Sequence, residues 1–356
     1  MLNGFFSEGA SRLVVGIGSV LVDIILPATE EFVGRSGVPK GGMVYFDADT
    51  IHKVLQRADG KAQVVPGGAA CNTILGVASL GGEARFLGKR GQDEFGHLFE
   101  KDLSLHRVDP LLIKAPTPTG RVLSLITPDS QRTMLTYLGA SAEMTPSEIP
   151  GNAFERAAIA VIEGYLVYNR ELFLYALDRA RAAGAKIVLD LASFTVVEEN
   201  RDFLEDVIQE YVDVLVANED EAATFTGCQE EPAALEALAK LAELAVLKLG
   251  ARGSMIAADG RVCRIEPIQA DDIVDTTGAG DLWAAGFLFG LVNGMPIEEC
   301  GQLASVCGYE VCRVMGASIP EETWQRIRRD INGKMLRRGT HQEEEGNGAE
   351  ANFQGS

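Results

Sequence analysis

Six short apolar runs spaced by helical stretches do most to limit how this chain of 356 residues can fold. They cover 13–17, 84–87, 158–162, 186–189, 213–216 and 244–248. Apolar residues at helical spacing predict helices over 70–80, 94–105, 171–182 and 232–241. Two longer helices, 279–291 and 298–314, close the pattern. Short apolar strands interleaved with helices form a mostly parallel sheet covered on both faces, which makes the chain α/β with three layers.

Two stretches break this rhythm. Residues 24–45 are poor in helical pattern. Residues 111–114, 121–127 and 133–138 are short β-type segments separated by Pro, Gly and Asp, with no helix between them. They read as an antiparallel sheet. Insertions at about 24–45 and 111–138 are therefore expected to form one small β lid on a main domain spanning 12–330. Residues 339–356 carry four Glu and no Lys or Arg, so this acidic tail is expected to be disordered, its last residues an appended remnant.

The formal net charge of −19 repels nucleic-acid phosphates and anionic lipid, so neither is an expected partner. A local pocket field still leaves room for a small anionic substrate. None of the six cysteines forms a CxxC pair and only four histidines occur, which argues against zinc. Cys300, Cys307 and Cys312 fall in an apolar helical stretch and read as buried thiols of a reducing compartment. Residues 1–11 lack a basic segment followed by an apolar run, and no apolar run reaches eighteen residues. The expectation is a cytoplasmic protein without a membrane span.

The strongest local signal is Asp275-Thr276-Thr277-Gly278-Ala279-Gly280-Asp281, set before an apolar helix. Small residues let the N–H groups of 278–280 approach an anion, and the helix adds its positive N-terminal end. Asp281, in the first helical turn, can point at a hydroxyl facing that anion. This is what a general base for phosphoryl transfer requires. The plainer reading is a Gly-rich helix entry with an Asp cap. Gly88-Lys89-Arg90 is no P-loop, because no Ser or Thr follows Lys89. Gly16-Ile17-Gly18 lacks the third glycine of a dinucleotide fingerprint.

The seven-residue segment resembles the C-terminal signature of the PfkB, or ribokinase-like, carbohydrate kinases. Gly67-Gly68-Ala69-Ala70-Cys71-Asn72, continuing through Gly81-Gly82 and Gly88 to Gly91-Gln92-Asp93-Glu94-Phe95-Gly96, resembles the N-terminal one. The resemblance spans about residues 12–320. It implies a ribokinase-like α/β/α fold and a kinase using ATP and magnesium. It also implies Asp281 as base and Gly278, Ala279 and Gly280 as anion hole. By the same resemblance Asp23, Gly67, Gly68 and Asn72 hold the substrate. Asn218, Glu221, Lys248, Gly250 and Gly253 approach the nucleotide, Glu221 ordering magnesium through water. Asp275 and Thr277 match a loop that holds a monovalent cation, potassium, in many members.

Within the family the chain is most similar to the adenosine-kinase-like branch, on Gly18 to Asp23, Arg132 to Ala140, and Glu163-Gly164-Tyr165-Leu166. That likeness implies a nucleoside whose base lies between Leu21, Leu138 and Tyr165. Arg132, a cation just before a lid strand, is expected to swing over the phosphate as the lid closes, a solvated hairpin arginine being the alternative. Lid core is the alternative role for the three apolar residues. Ser19 departs from the Asn that such kinases tend to carry. A sugar kinase acting on fructose, ribose or a keto-deoxy sugar acid is the competing expectation. The sequence leaves monomer and homodimer open.

Overall fold

The computed structural model of the chain describes residues 5–6, 9–40, 42–58, 61–129, 131–269 and 272–333. The expected acidic tail, 339–356, lies outside them. Two units divide after Ser318. The second is helical over 321–333. Everything that follows concerns the first.

Its strands in chain order are β1 Leu13–Ile17, β2 Leu21–Pro27, β3 Met43–Tyr45, β4 Gln63–Gly67, β5 Ala84–Gly91, β6 Asp109–Ala115 and β7 Thr119–Ile126. They continue as β8 Arg132–Gly139, β9 Ala157–Glu163, β10 Lys186–Asp190, β11 Val214–Asn218, β12 Leu244–Lys248, β13 Ser254–Ala258 and β14 Arg261–Ile265. A large sheet runs β14-β13-β12-β11-β10-β9-β1-β5-β6. From β12 to β6 every pairing is parallel, and β13 and β14 append an antiparallel edge. β1 and β9 are buried along their whole length, which is why they read as unbroken apolar runs. The helix Ala279–Val292 is buried at every position from Leu282 onward, packed between the helices Ala69–Ser79 and Ile297–Cys312.

The lid is a second sheet, ordered β3-β8-β7-β2-β4. Its side chains alternate between two environments, as a pleated strand dictates. Ile24, Leu26, Leu123, Leu125 and Leu135 form a small core with Val33 and Ile51, from the short helices Glu30–Arg35 and Ala48–Gln56. The intervening Asp23, Val122, Ser124, Met134 and Thr136 face a cavity beneath the lid.

The lid differs from the sequence expectation in three ways. Residues 111–114 do not belong to it. They lie in β6, which pairs in parallel with β5 at the edge of the large sheet. Only its last residue is fully buried, so β6 lacks the apolar run that marks the inner strands. Second, β4 supplies a lid strand that the sequence did not signal, with Pro66 and Gly67 inside it. Third, the sheet is mixed, since β2 pairs with β7 in parallel and β7 with β8 antiparallel. The helix Phe194–Tyr211 and the β13–β14 edge were also not anticipated. All six cysteines are free thiols, and burial pushes Cys300 up to about 12.

Candidate active site

Four neighbouring parallel strands end on one edge of the large sheet, and the last residue of each is polar: Glu163, Asp190, Asn218 and Lys248. Ligands of open α/β sheets bind at this carboxyl edge. The DTTGAGD segment reaches the same edge. Gly278 caps the helix Ala279–Val292 at φ 72°, and a Cβ there would lie 2.6 Å from the Cβ of Ala317, so only glycine fits. Ala279 N–H donates to Thr276 O at 3.2 Å, which turns one of the three expected anion-hole amides inward. Gly280 and Ala279 border a cavity of about 510 Å³ with Lys248, Gly250, Gly253, Trp283 and Tyr309.

Asp281 stands on the other side of this helix mouth. It lines a second cavity of about 430 Å³, under the lid. Asn72 Nδ2 donates to its Oδ2 at 2.8 Å, and Thr73 Oγ1 donates to its carbonyl at 3.2 Å. Both donors sit in the first turns of the helix Ala69–Ser79, so this helix aims the carboxylate. Burial raises Asp281 to about 6; the Asn72 bond and Lys248 oppose the rise, and Asp190 adds to it. Asp23 enters the same cavity from β2 and is likewise raised to about 6, chiefly by burial, against the pull of Arg132. A Cβ on Gly67 would lie 2.4 Å from Asp23 Oδ2, so glycine at 67 is what leaves room for this carboxylate.

Of the other expected substrate residues, Leu21, Arg132, Leu138 and Tyr165 line the lid cavity. Gly68 caps the helix that carries Asn72. The Arg132 guanidinium lies 3.7 Å from Asp275, tying the lid to the loop before the helix Ala279–Val292. Asp275 also accepts from Thr277 N–H at 3.0 Å, Thr277 Oγ1 at 2.7 Å and Gly316 N–H at 2.8 Å. Its carboxylate is thus engaged by donors and a fixed cation, and does not fit a potassium site in this form.

Asn218 and Glu221 close a capping box at the start of the helix Glu219–Thr226. Both carboxylate oxygens of Glu221 accept from Asn218, at 2.8 and 2.6 Å, and Glu221 is buried. Neither residue lines a cavity described here. Among the described residues no cluster of three His, Cys, Asp or Glu could hold a metal ion. Glu221 in this state does not fit direct magnesium ligation.

Sequence reasoning missed Glu163 and Asp190. Glu163 lines the lid cavity and accepts from Ser19 N–H at 3.3 Å and Ala70 N–H at 3.2 Å, stitching the entry to β2 to the helix that aims Asp281. Burial raises it to about 7. The signal was present in both cases: an acid ends an otherwise apolar strand. A carboxyl raised by burial, as Glu163 and Asp281 are, opposes folding at neutral pH. Asp281 is raised, so the folded chain holds its proton more tightly than the unfolded chain does. Stability from this group is full below about 4 and is lost as pH rises through about 6. Asp281→Asn removes that loss. Urea denaturation is expected to show the variant gaining on the order of 1–2 kcal/mol over wild type between pH 5 and 7.5. A constant difference across this range would contradict the assigned shift.

A parallel sheet with two cavities meeting at a glycine-rich helix mouth, one beneath a β lid, defines a ribokinase-like phosphotransferase. Residues 41–324 match the pfkB family of carbohydrate kinases, and the chain belongs to that family. It is an ATP-dependent kinase acting on a hydroxyl group. Its fold matches a crystal structure of adenosine kinase from Sinorhizobium meliloti with a TM-score of 0.83 and 32% identity, covering 90% of this chain and 100% of that one. It is 26% identical to adenosine kinase of Saccharomyces cerevisiae over 338 residues, covering 87% of this chain and 97% of the relative. It is 27% identical to ribokinase of Arabidopsis thaliana over 301 residues, covering 78% of this chain and 76% of that relative. No described helix is long and apolar enough to cross a membrane.

Proposed function

We propose that this kinase phosphorylates the primary hydroxyl of an adenosine-like nucleoside. The observation that carries the reading is the mixed lining of the lid cavity. Asp23, Glu163 and Asp281 gather acid on its walls, while Leu21, Met43, Tyr45, Val122, Met134 and Leu138 present apolar and aromatic surface from the lid. A ribose needs hydroxyl acceptors, and a flat base needs an apolar slot. A bare sugar would leave the apolar wall unused. The acids of this cavity, Asp23 and Asp281 ionised above about pH 6, also disfavour a sugar acid, whose charge they repel.

In this reading Asp281 accepts the proton of the attacking hydroxyl. The acceptor oxygen bonds to the γ-phosphorus, the bond from that phosphorus to the β–γ bridging oxygen breaks, and the electron pair leaves with ADP. The amides of Gly278 and Gly280 neutralise charge on the moving phosphoryl oxygens, that of Ala279 being bonded to Thr276. Lys248, Gly250 and Gly253 border the nucleotide cavity. Magnesium bound with the nucleotide phosphates would supply further charge neutralisation there.

Stacking of the base against the lid stabilises by about 1–3 kcal/mol, so kcat/KM for adenosine is expected to exceed that for ribose by roughly 10- to 100-fold. An ADP-coupled assay with adenosine, ribose and fructose reads this directly. Equal or higher values for either sugar would reject the nucleoside and favour the sugar-kinase alternative, which the similar identity to ribokinase keeps in view.

A further inference from the structure

Lys248 ends β12 at the carboxyl edge, and its Nζ donates to Asp190 Oδ2 at 2.7 Å. The same Nζ lies 3.2 Å from where a Cβ of residue 280 would stand, so the absent side chain of Gly280 is what admits the ammonium to the helix mouth. Lys248 borders the nucleotide cavity together with Ala279 and Gly280. An ammonium has three N–H donors, and the bond to Asp190 uses one. We propose that Lys248 is a second catalytic residue, donating from Nζ to a non-bridging oxygen of the transferring phosphoryl group, and that Asp190 is the positioning residue that holds it there.

This goes further than nucleotide binding and rests on the kinase reading above. Lys248 forms no bond to phosphorus. It offsets negative charge on the phosphoryl oxygens while that group passes from the departing ADP oxygen to the acceptor oxygen. A fixed cation suits a site where one anion-hole amide, that of Ala279, is already bonded to Thr276. The acids around it, Asp190 and Glu221 foremost, raise the Lys248 pKa against the burial that lowers it, so the side chain stays charged. Asp190 ends β10, two strands away from β12 across β11, so the pair spans the strand ends behind the helix mouth.

The test is Lys248→Met, with Lys248→Arg and Asp190→Asn beside it. Losing one preorganised donor lowers kcat about 100-fold. Lys248→Arg is expected to recover at least about tenfold of that, because the charge is kept though the fork is larger. Asp190→Asn is expected to lower kcat less than Lys248→Met and to add nothing on top of it, as coupled residues do. Calorimetric titration with magnesium ATP and magnesium ADP separates this role from a structural ion pair. Lys248→Met is expected to weaken ATP about tenfold, as loss of a charge-assisted bond does, and ADP less than twofold. Equal weakening of both nucleotides, or kcat within threefold of wild type, would overturn the proposal. The titration needs no acceptor, so it reads Lys248 even if the nucleoside assignment fails.

Discussion

Asp281→Asn is expected to lower kcat on the order of 1,000-fold, within the range that a positioned general base contributes. The substitution is nearly isosteric. Its amide oxygen can still accept the Asn72 bond that holds Asp281 at 2.8 Å, so the helix Ala69–Ser79 keeps its partner. What is lost is the capacity to take up a proton. Nucleotide and acceptor affinities should stay within a fewfold of wild type, because the amides of Gly278 and Gly280 and the carboxylate of Asp23 are untouched. Single-turnover rates with adenosine and magnesium ATP measure the chemical step itself. A variant within tenfold of wild type would show that another group, or water, takes the proton.

The second large effect is on pH. As the proposed base, Asp281 would work only when ionised, and burial raises it to about 6. Asp23, which would accept substrate hydroxyls, is raised to about 6 as well. Protonation therefore disables the base and weakens acceptor binding in the same window. The two acids share a cavity and interact, so the acid limb belongs to the pair rather than to either residue. The value of kcat/KM for the acceptor is expected to be flat above about pH 7 and to fall at least tenfold per unit below about 6, on the order of 100-fold by pH 4. With saturating nucleotide, Asp281→Asn should show a shallower limb carried by Asp23 alone. A wild-type profile flat from pH 5 to 7.5 would mean that neither carboxylate titrates where its burial requires.

The proposed catalytic loop was legible because its chemistry is local. Seven consecutive residues, from Asp275 to Asp281, encode the turn, the helix start and the carboxylate together. The parallel strands were legible from burial on both faces. Where burial is partial the sequence misled. β6 is a half-exposed edge strand, so 111–114 looked like its lid neighbours although the helix Glu94–Leu105 links β5 to it in a βαβ unit. β4 carries a proline and a glycine and pairs with β2 across some forty residues of chain, a contact that no local pattern announces. Glu163, Asp190 and the ammonium of Lys248 come to one edge only because strands far apart in sequence end there. Asn218 and Glu221, expected to serve the nucleotide and, through water, magnesium, also form a capping box that a local pattern explains.

A structure with adenosine and a non-hydrolysable ATP analogue bound together tests the central claim most directly. The account predicts the primary hydroxyl oxygen of the nucleoside about 2.6–3.2 Å from an Asp281 carboxylate oxygen. It also predicts the γ-phosphate against Gly280 on the far side of the helix mouth. A nucleoside seated under the lid with that hydroxyl turned away from Asp281, or a terminal phosphate distant from Gly280, would contradict it.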